Sequence, residues 1–196
     1  NTYIYGKSGS GKEDLLSTII YSTAINHSPE EVVFYVVDMG AETIRQFLRY
    51  PHVADVCTVD DGDKIIDLMV MIEREISRRK NLTVDFGGNF ESYNEMNEKK
   101  LPLYVVIINY LDIFIENFSK ISELIIPLYR DGSKYGVNFI ITANAVSSLR
   151  MRTRDYFTSH ICLQMANNDD YSNVLNRCPR RLTPASYKGR GLIEKN

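Results

Sequence analysis

Gly6-Lys7-Ser8-Gly9-Ser10-Gly11-Lys12-Glu13 follows the pattern of a phosphate-binding loop until its last position. Glycines let consecutive backbone N–H groups curl around a phosphate, and the lysine reaches the terminal phosphates. A closing Ser or Thr hydroxyl then ligates Mg²⁺. Here Glu13 puts a carboxylate in the place of that hydroxyl. The surroundings agree with the motif. Thr2-Tyr3-Ile4-Tyr5 is a short aromatic and β-branched run that predicts a strand, and Leu15, Leu16, Ile19, Ile20 and Thr23 recur at helical spacing after the loop. Read from composition alone, the loop is a flexible turn. The strand before it and the helix after it favour the phosphate site.

The rest of the chain repeats the same alternation. Val32 to Val37 is a nearly continuous apolar run ending at Asp38, as expected of a strand covered on both faces. Residues 55 to 59 read as the next strand. Asp60-Asp61-Gly62-Asp63 predicts a turn and N-cap, and its acids suit a helix start better than a metal site. Ile65, Leu68, Met69, Ile72 and Ile76 then form one helical face, which closes in Arg78-Arg79-Lys80 with Glu75 placed to pair with Arg79. Residues 83 to 101 are the most polar stretch and predict a mobile excursion. Leu103 to Ile108 is again a strand, and Phe114, Phe118, Ile121, Ile125 and Leu128 predict one long helix ending near Asp131-Gly132. Val137 to Thr142, His160 to Met165 and a final edge strand over Gly189 to Ile193 complete the series. This is the pattern of a three-layer α/β fold with a mainly parallel central sheet.

Composition narrows the function. With 196 residues, 44% hydrophobic and 24% charged, the expectation is one domain spanning residues 1–196. The apolar runs fall short of the ~20 residues of a membrane span. A net charge of −2 gives no broad nucleic-acid footprint. Cys57, Cys162 and Cys178 have no metal-ligand spacing and suit reduced thiols, while His27, His52 and His160 are scattered and read as structural. The first strand begins almost at once, which suggests a piece of a longer protein. Thirteen Tyr and eight Phe suit either a core or an interface, and the core is the simpler reading.

A phosphate-loop ATPase also needs an Asp at the end of an apolar strand for the Mg²⁺ shell, often with a Glu beside it to orient water. The strand that should carry them ends Ile107-Ile108-Asn109-Tyr110. Asp38 ends a different strand and Asp112 lies past the strand end, so neither is an evident substitute.

Over nearly its whole length the chain resembles the FtsK/SpoIIIE-type ATPases. The likeness runs from Gly6 to Lys12 through Asp38 with Gly40, Tyr50-Pro51-His52-Val53 and Glu73 to Lys80. It continues through Tyr93-Asn94, Leu101-Pro102, Asp131-Gly132 with Tyr135-Gly136, and Ile140-Ile141-Thr142. Within that group it is most similar to the EssC/EccC coupling proteins of type VII secretion, membrane-anchored chains with several ATPase domains in tandem. Asp170-Tyr171 and Gly189-Arg190-Gly191-Leu192 resemble their internal domains, the second in particular.

Four positions depart from the family: Glu13 for its Ser/Thr, Asn109-Tyr110 for its Asp-Glu, Gly132-Ser133 for its Gly-Arg, and Thr142-Ala143 for its Thr-Gln. The resemblance therefore implies a degenerate module, with a nucleotide site over Gly6, Lys7, Ser8, Gly9, Ser10, Gly11, Lys12 and Glu13. No catalytic residue is left at Asn109 and Tyr110. The resemblance implies a RecA-like phosphate-loop fold that binds ATP weakly, with Mg²⁺ possible through Glu13. Two unit charges ~4 Å apart at an effective dielectric of about 20 interact by about 4 kcal/mol, roughly two to three decades of affinity. The implied partners are sister ATPase domains of the same chain and small helical WXG100-like export substrates, with no nucleic acid. The implied place is the cytoplasmic side of the membrane, reached through other parts of the parent. A pure interaction module with a vestigial loop is the alternative, and an active DNA motor suits neither the charge nor the missing acids.

Overall fold

The computed structural model describes residues 1–40, 42–175, 178, 182–184 and 187–193. Seven strands form one sheet in the order β3-β2-β4-β5-β1-β6-β7. They are β1 (Thr2–Tyr5), β2 (Val32–Asp38), β3 (Val53–Thr58), β4 (Leu103–Asn109), β5 (Val137–Ala143), β6 (Ser159–Cys162) and β7 (Leu192–Ile193). All neighbouring pairs are parallel except β6 with β7.

Strand alternation sends side chains to two apolar layers. On one face Ile4, Phe34, Val36, Val105 and Ile107 pack with Leu16 and Ile20 of α1 (Lys12–Asn26) and with Ile44 and Phe47 of the 3₁₀ turn Thr43–Arg49. On the other, Tyr3, Tyr5, Val37, Val106, Ile108 and Phe139 meet α2 (Gly62–Thr83) and the helices that follow β4. Tyr3, Tyr5, Tyr129 and Tyr171 are among the aromatic side chains buried in the core.

Three local expectations are corrected. The helix expected from Phe114 to Leu128 is three short ones, α4 (Leu111–Asn117), α5 (Ser119–Leu124) and α6 (Ile126–Asp131). The breaks fall at Phe118, whose backbone leaves the helical region, and before Pro127, which has no N–H to continue the ladder. The polar stretch 83–101 contains α3 (Phe90–Met96), started by Asn89, whose side chain accepts from Ser92 N–H. It closes on Asn94, which exchanges two hydrogen bonds with the Leu101 backbone at 2.8 and 2.9 Å. Polar residues here build a compact turn by satisfying backbone groups. Asp61 stands at the N-cap of α2, but its carboxylate accepts from Thr58 N–H and Oγ1, both at 3.0 Å, instead of capping the helix. The Glu75–Arg79 pair is present at 2.7 Å.

α7 (Met151–Arg154) and α8 (Asp169–Val174) flank β6. Among the described residues the cysteines form no disulfide, no metal-binding cluster of His, Cys, Asp or Glu occurs, and no helix is long and apolar enough to cross a membrane. His52 Nε2 lies 2.7 Å from the His27 carbonyl and His160 Nδ1 lies 3.2 Å from Tyr5 Oη, both structural uses.

Candidate functional site

Register brings the chemistry to one edge. Asp38 pairs with Asn109 across β2 and β4, Ile108 with Ile141 across β4 and β5, and Tyr5 with Ala143 across β1 and β5. The carboxyl ends of four adjacent strands therefore present Asp38, Asn109, Thr142 and the phosphate loop side by side, where ligands bind in open α/β sheets.

The loop has the turn that its glycines predict, with φ of +74° at Gly9 and +98° at Gly11. A Cβ on Gly11 would also lie 2.7 Å from Gly189 N, because the turn at Tyr187–Arg190 lies against the loop. Gly189 N–H donates to Ser10 O at 2.9 Å, and Lys188 pairs with Asp14 at 2.7 Å. The N–H groups of the first turn of α1 lack intrahelical partners, as at any helix start. Ser10 Oγ is buried and has no hydrogen-bond partner among the described residues.

Lys12 is only 1% exposed. Its Nζ donates to Gly6 O at 2.5 Å, Lys7 O at 3.1 Å and Asn144 Oδ1 at 2.9 Å. All three acceptors are neutral. Burial pulls the Lys12 ammonium below its ordinary range, and the Glu13 and Asp112 carboxylates offset only part of that. Asn144 passes the contact on, its Nδ2 donating to Asp112 Oδ2 at 2.7 Å while its N–H reaches Oδ1 at 3.3 Å.

Asn109 is spent on structure. Its Nδ2 donates to Asp38 Oδ1 at 2.8 Å, and its Oδ1 accepts from Thr142 Oγ1 at 2.7 Å. Asp38 Oδ1 also accepts from Gly40 N–H at 3.0 Å, leaving Oδ2 buried without a partner. Tyr110 follows with φ +60°, a conformation costing a non-glycine residue about 1–2 kcal/mol. Its N–H donates to Thr142 Oγ1 at 2.9 Å, and its hydroxyl donates to Glu13 Oε1. Burial, and next the Glu13 carboxylate that accepts from it, hold this phenol well above its ordinary pKa. The Lys12 Nζ lies 4.9 Å from the ring centroid. A Cβ on Gly40 would fall 2.6 Å from Tyr110 Cε2, so only glycine leaves room for the ring.

The sequence-predicted loop, Gly6 to Glu13, and the strand end at Asn109 and Tyr110 thus meet in one polar network. Sequence reasoning missed Asn144 and the turn at Lys188-Gly189. Asn144 carries a signal, a polar residue just past the end of β5 beside the phosphate-loop strand. The residues present fit a polyphosphate: an orphaned buried hydroxyl, free helix-start N–H groups and a cation held only by neutral acceptors. For a divalent cation they offer less, since Glu13 Oε1 accepts from Tyr110 and the strand end carries Asn109.

Comparison with known proteins gives this arrangement its context. The sequence profile of the FtsK/SpoIIIE family matches residues 1–191. The ESX secretion system protein YukB of Bacillus subtilis is 30% identical over 196 residues, covering 100% of this chain and 13% of YukB. The solved EssC structure (ATPases 2 and 3) from Geobacillus thermodenitrificans superposes with a TM-score of 0.93 at 27% identity, over 100% of this chain and 37% of that one. The Thermomonospora curvata EccC structure (ATPases 2 and 3), solved in complex with a signal sequence peptide, shares the fold with a TM-score of 0.88 at 22% identity, over 98% of this chain and 36% of its own. The chain therefore spans about an eighth of the length of YukB. Over that span, with its phosphate loop and strand ends in the positions described, it belongs to the FtsK/SpoIIIE family.

Proposed function

We propose that this chain is a degenerate ATPase domain of a type VII secretion coupling protein, most like an internal second domain, which binds ATP weakly and does not hydrolyse it. The carrying observation is that the nearby carboxylates are already engaged. Glu13 accepts from Tyr110, both oxygens of Asp112 accept from Asn144, and Asp38 accepts from Asn109 and Gly40. The remaining Asp38 oxygen is buried, and the residue is 1% exposed. No general base is placed to orient water on a terminal phosphate. Weak binding follows from the Glu13 charge and from the contacts that Lys12 must give up. The phosphate itself has a route in, because an anion satisfies Lys12 better than two carbonyls and an amide.

The output in this reading is a protein contact, with sister ATPase domains or with a small helical export substrate, on the cytoplasmic face of a membrane that other parts of the parent reach. An apolar groove between α2 and α5–α6 supports it, where Ile66, Val70 and Leu124 stand exposed beside Met69, Ile121 and Ile125. An amphipathic helix fits such a groove through anchors at i, i+3, i+4 and i+7. The same groove favours the second reading, an interaction module whose loop is vestigial.

Calorimetric titration with ATP separates them. The proposed function predicts weak binding that disappears in Lys12→Ala and strengthens at least about tenfold in Glu13→Thr with Mg²⁺, because charge repulsion falls and a metal-ligating hydroxyl returns. No binding by any of the three leaves the interaction reading. Within the parent, deleting the domain impairs secretion and Lys12→Ala impairs it little. Equal loss from both makes nucleotide binding essential and removes the vestigial-loop reading.

A further inference from the structure

The contact between Glu13 and Tyr110 joins two of the positions at which this chain departs from an active phosphate-loop ATPase. Glu13 stands where a cation-ligating hydroxyl is expected, and Tyr110 stands at the strand end where an acid is expected. Their side chains meet across 97 residues of sequence. Tyr110 is held there by three independent features: a left-handed backbone, the N–H bond to Thr142, and a ring seated on Gly40 that only glycine permits. A bulky residue in that backbone region marks a constrained site.

We infer that the Tyr110 hydroxyl takes the coordination place of the divalent cation, so that Glu13 accepts a phenol hydrogen where a cation would otherwise sit. Mg²⁺ demands near-octahedral oxygen ligands at about 2.0–2.1 Å and gives up its waters reluctantly. With the phenol hydrogen on Glu13 Oε1, that oxygen is taken and the carboxylate offers a cation less than its full ligand set. The donated hydrogen also offsets part of the negative charge that Glu13 presents to a phosphate. In this chain the nucleotide therefore binds with little help from Mg²⁺, and removing the phenol oxygen frees Glu13 Oε1 to serve as a metal ligand. This inference rests on the proposed nucleotide binding.

The test compares the ATP affinity of each chain with Mg²⁺ and with EDTA, so that each variant is its own control for folding. Wild type is expected to give a ratio near one. Tyr110→Phe, which keeps the ring on Gly40, is expected to bind ATP about tenfold more tightly with Mg²⁺ than without, the scale of one hydrogen bond to a charged group. Adding Glu13→Gln to Tyr110→Phe returns the ratio to near one. An equal Mg²⁺ dependence in wild type and Tyr110→Phe overturns the inference and leaves nucleotide binding standing. No ATP heat and no ATP-induced rise in unfolding midpoint in any of the three chains overturns the nucleotide reading, and the inference with it.

Discussion

Two buried cations, at opposite ends of the sheet, meet the same physical problem with different partners. Arg79 is 0% exposed, pairs with Glu75 at 2.7 Å, donates from Nη1 to Tyr135 O and Gly136 O at 3.0 Å, and lies 4.3 Å from the Tyr104 ring centroid. Lys12 is as deeply buried, but no carboxylate touches its Nζ. A buried charge without a paired counter-ion is costly. At Arg79 the charge is compensated by the Glu75 carboxylate, although Nη2 is buried without a hydrogen-bond partner among the described residues, and the guanidinium ties α2 to the turn before β5. At Lys12 it is compensated by neutral groups that an incoming anion can replace. The first arrangement belongs to the framework, and the second is the one that the proposed phosphate site would use.

The largest expected effect lies at the framework end. Arg79→Met leaves Glu75 to Arg78 alone and takes a donor from Tyr135 O and from Gly136 O, the second of which keeps its bond from Tyr104 N–H, so the chain should lose about 3 kcal/mol of stability, near the lower end for breaking a buried pair. Urea unfolding measures it. A loss below about 1 kcal/mol would erase the distinction between the two cations.

Lys12→Met should change stability much less, by no more than about 1 kcal/mol near neutral pH, since a lost desolvation cost offsets three lost hydrogen bonds. The pH dependence sharpens the point. The folded state holds the Lys12 proton less tightly than the unfolded chain, whose lysine titrates near 10.5. Between the lowered folded value and 10.5 the unfolded state binds more protons, so this group's contribution to stability rises with pH there. The penalty of charging Lys12 is present below that window and fades across it. Relative to wild type, Lys12→Met should therefore look best at neutral pH and steadily worse as pH climbs towards 10.5. A difference that stays flat over that range would mean that Lys12 is not desolvated. The buried tyrosines titrate in both proteins and cancel in the comparison.

Much of this architecture is legible in the chain itself. Apolar runs such as Val32–Val37 and Leu103–Ile108 suit a sheet covered on both faces, and a glycine loop between a strand and a helix is the pattern of a phosphate site. That Asn109-Tyr110 carry no carboxylate at the end of an apolar strand is equally plain. The departures from local expectation have local causes that hydrophobic spacing does not register. Phe114, Phe118 and Ile121 keep helical periodicity through a break, because burial constrains side chains while Phe118 and Pro127 change the backbone. The stretch 83–101 is polar because Asn89 and Asn94 bond to the main chain, which composition alone reads as solvation. The site's own detail depends on distant meetings: Tyr110 with Glu13, Asn144 with Lys12, Gly189 with Ser10. Such contacts follow from strand order, and strand order is not written in any one segment.

The central claim is that the site retains a place for phosphate and has lost the chemistry. Phosphate release from Mg²⁺-ATP by the chain, set against Lys12→Ala, tests it most directly. The expected result is release by wild type no faster than by Lys12→Ala. Faster release by wild type, abolished by Asp38→Asn or Asp112→Asn, would contradict the claim and place a working carboxylate where the structure has both acids engaged in internal hydrogen bonds.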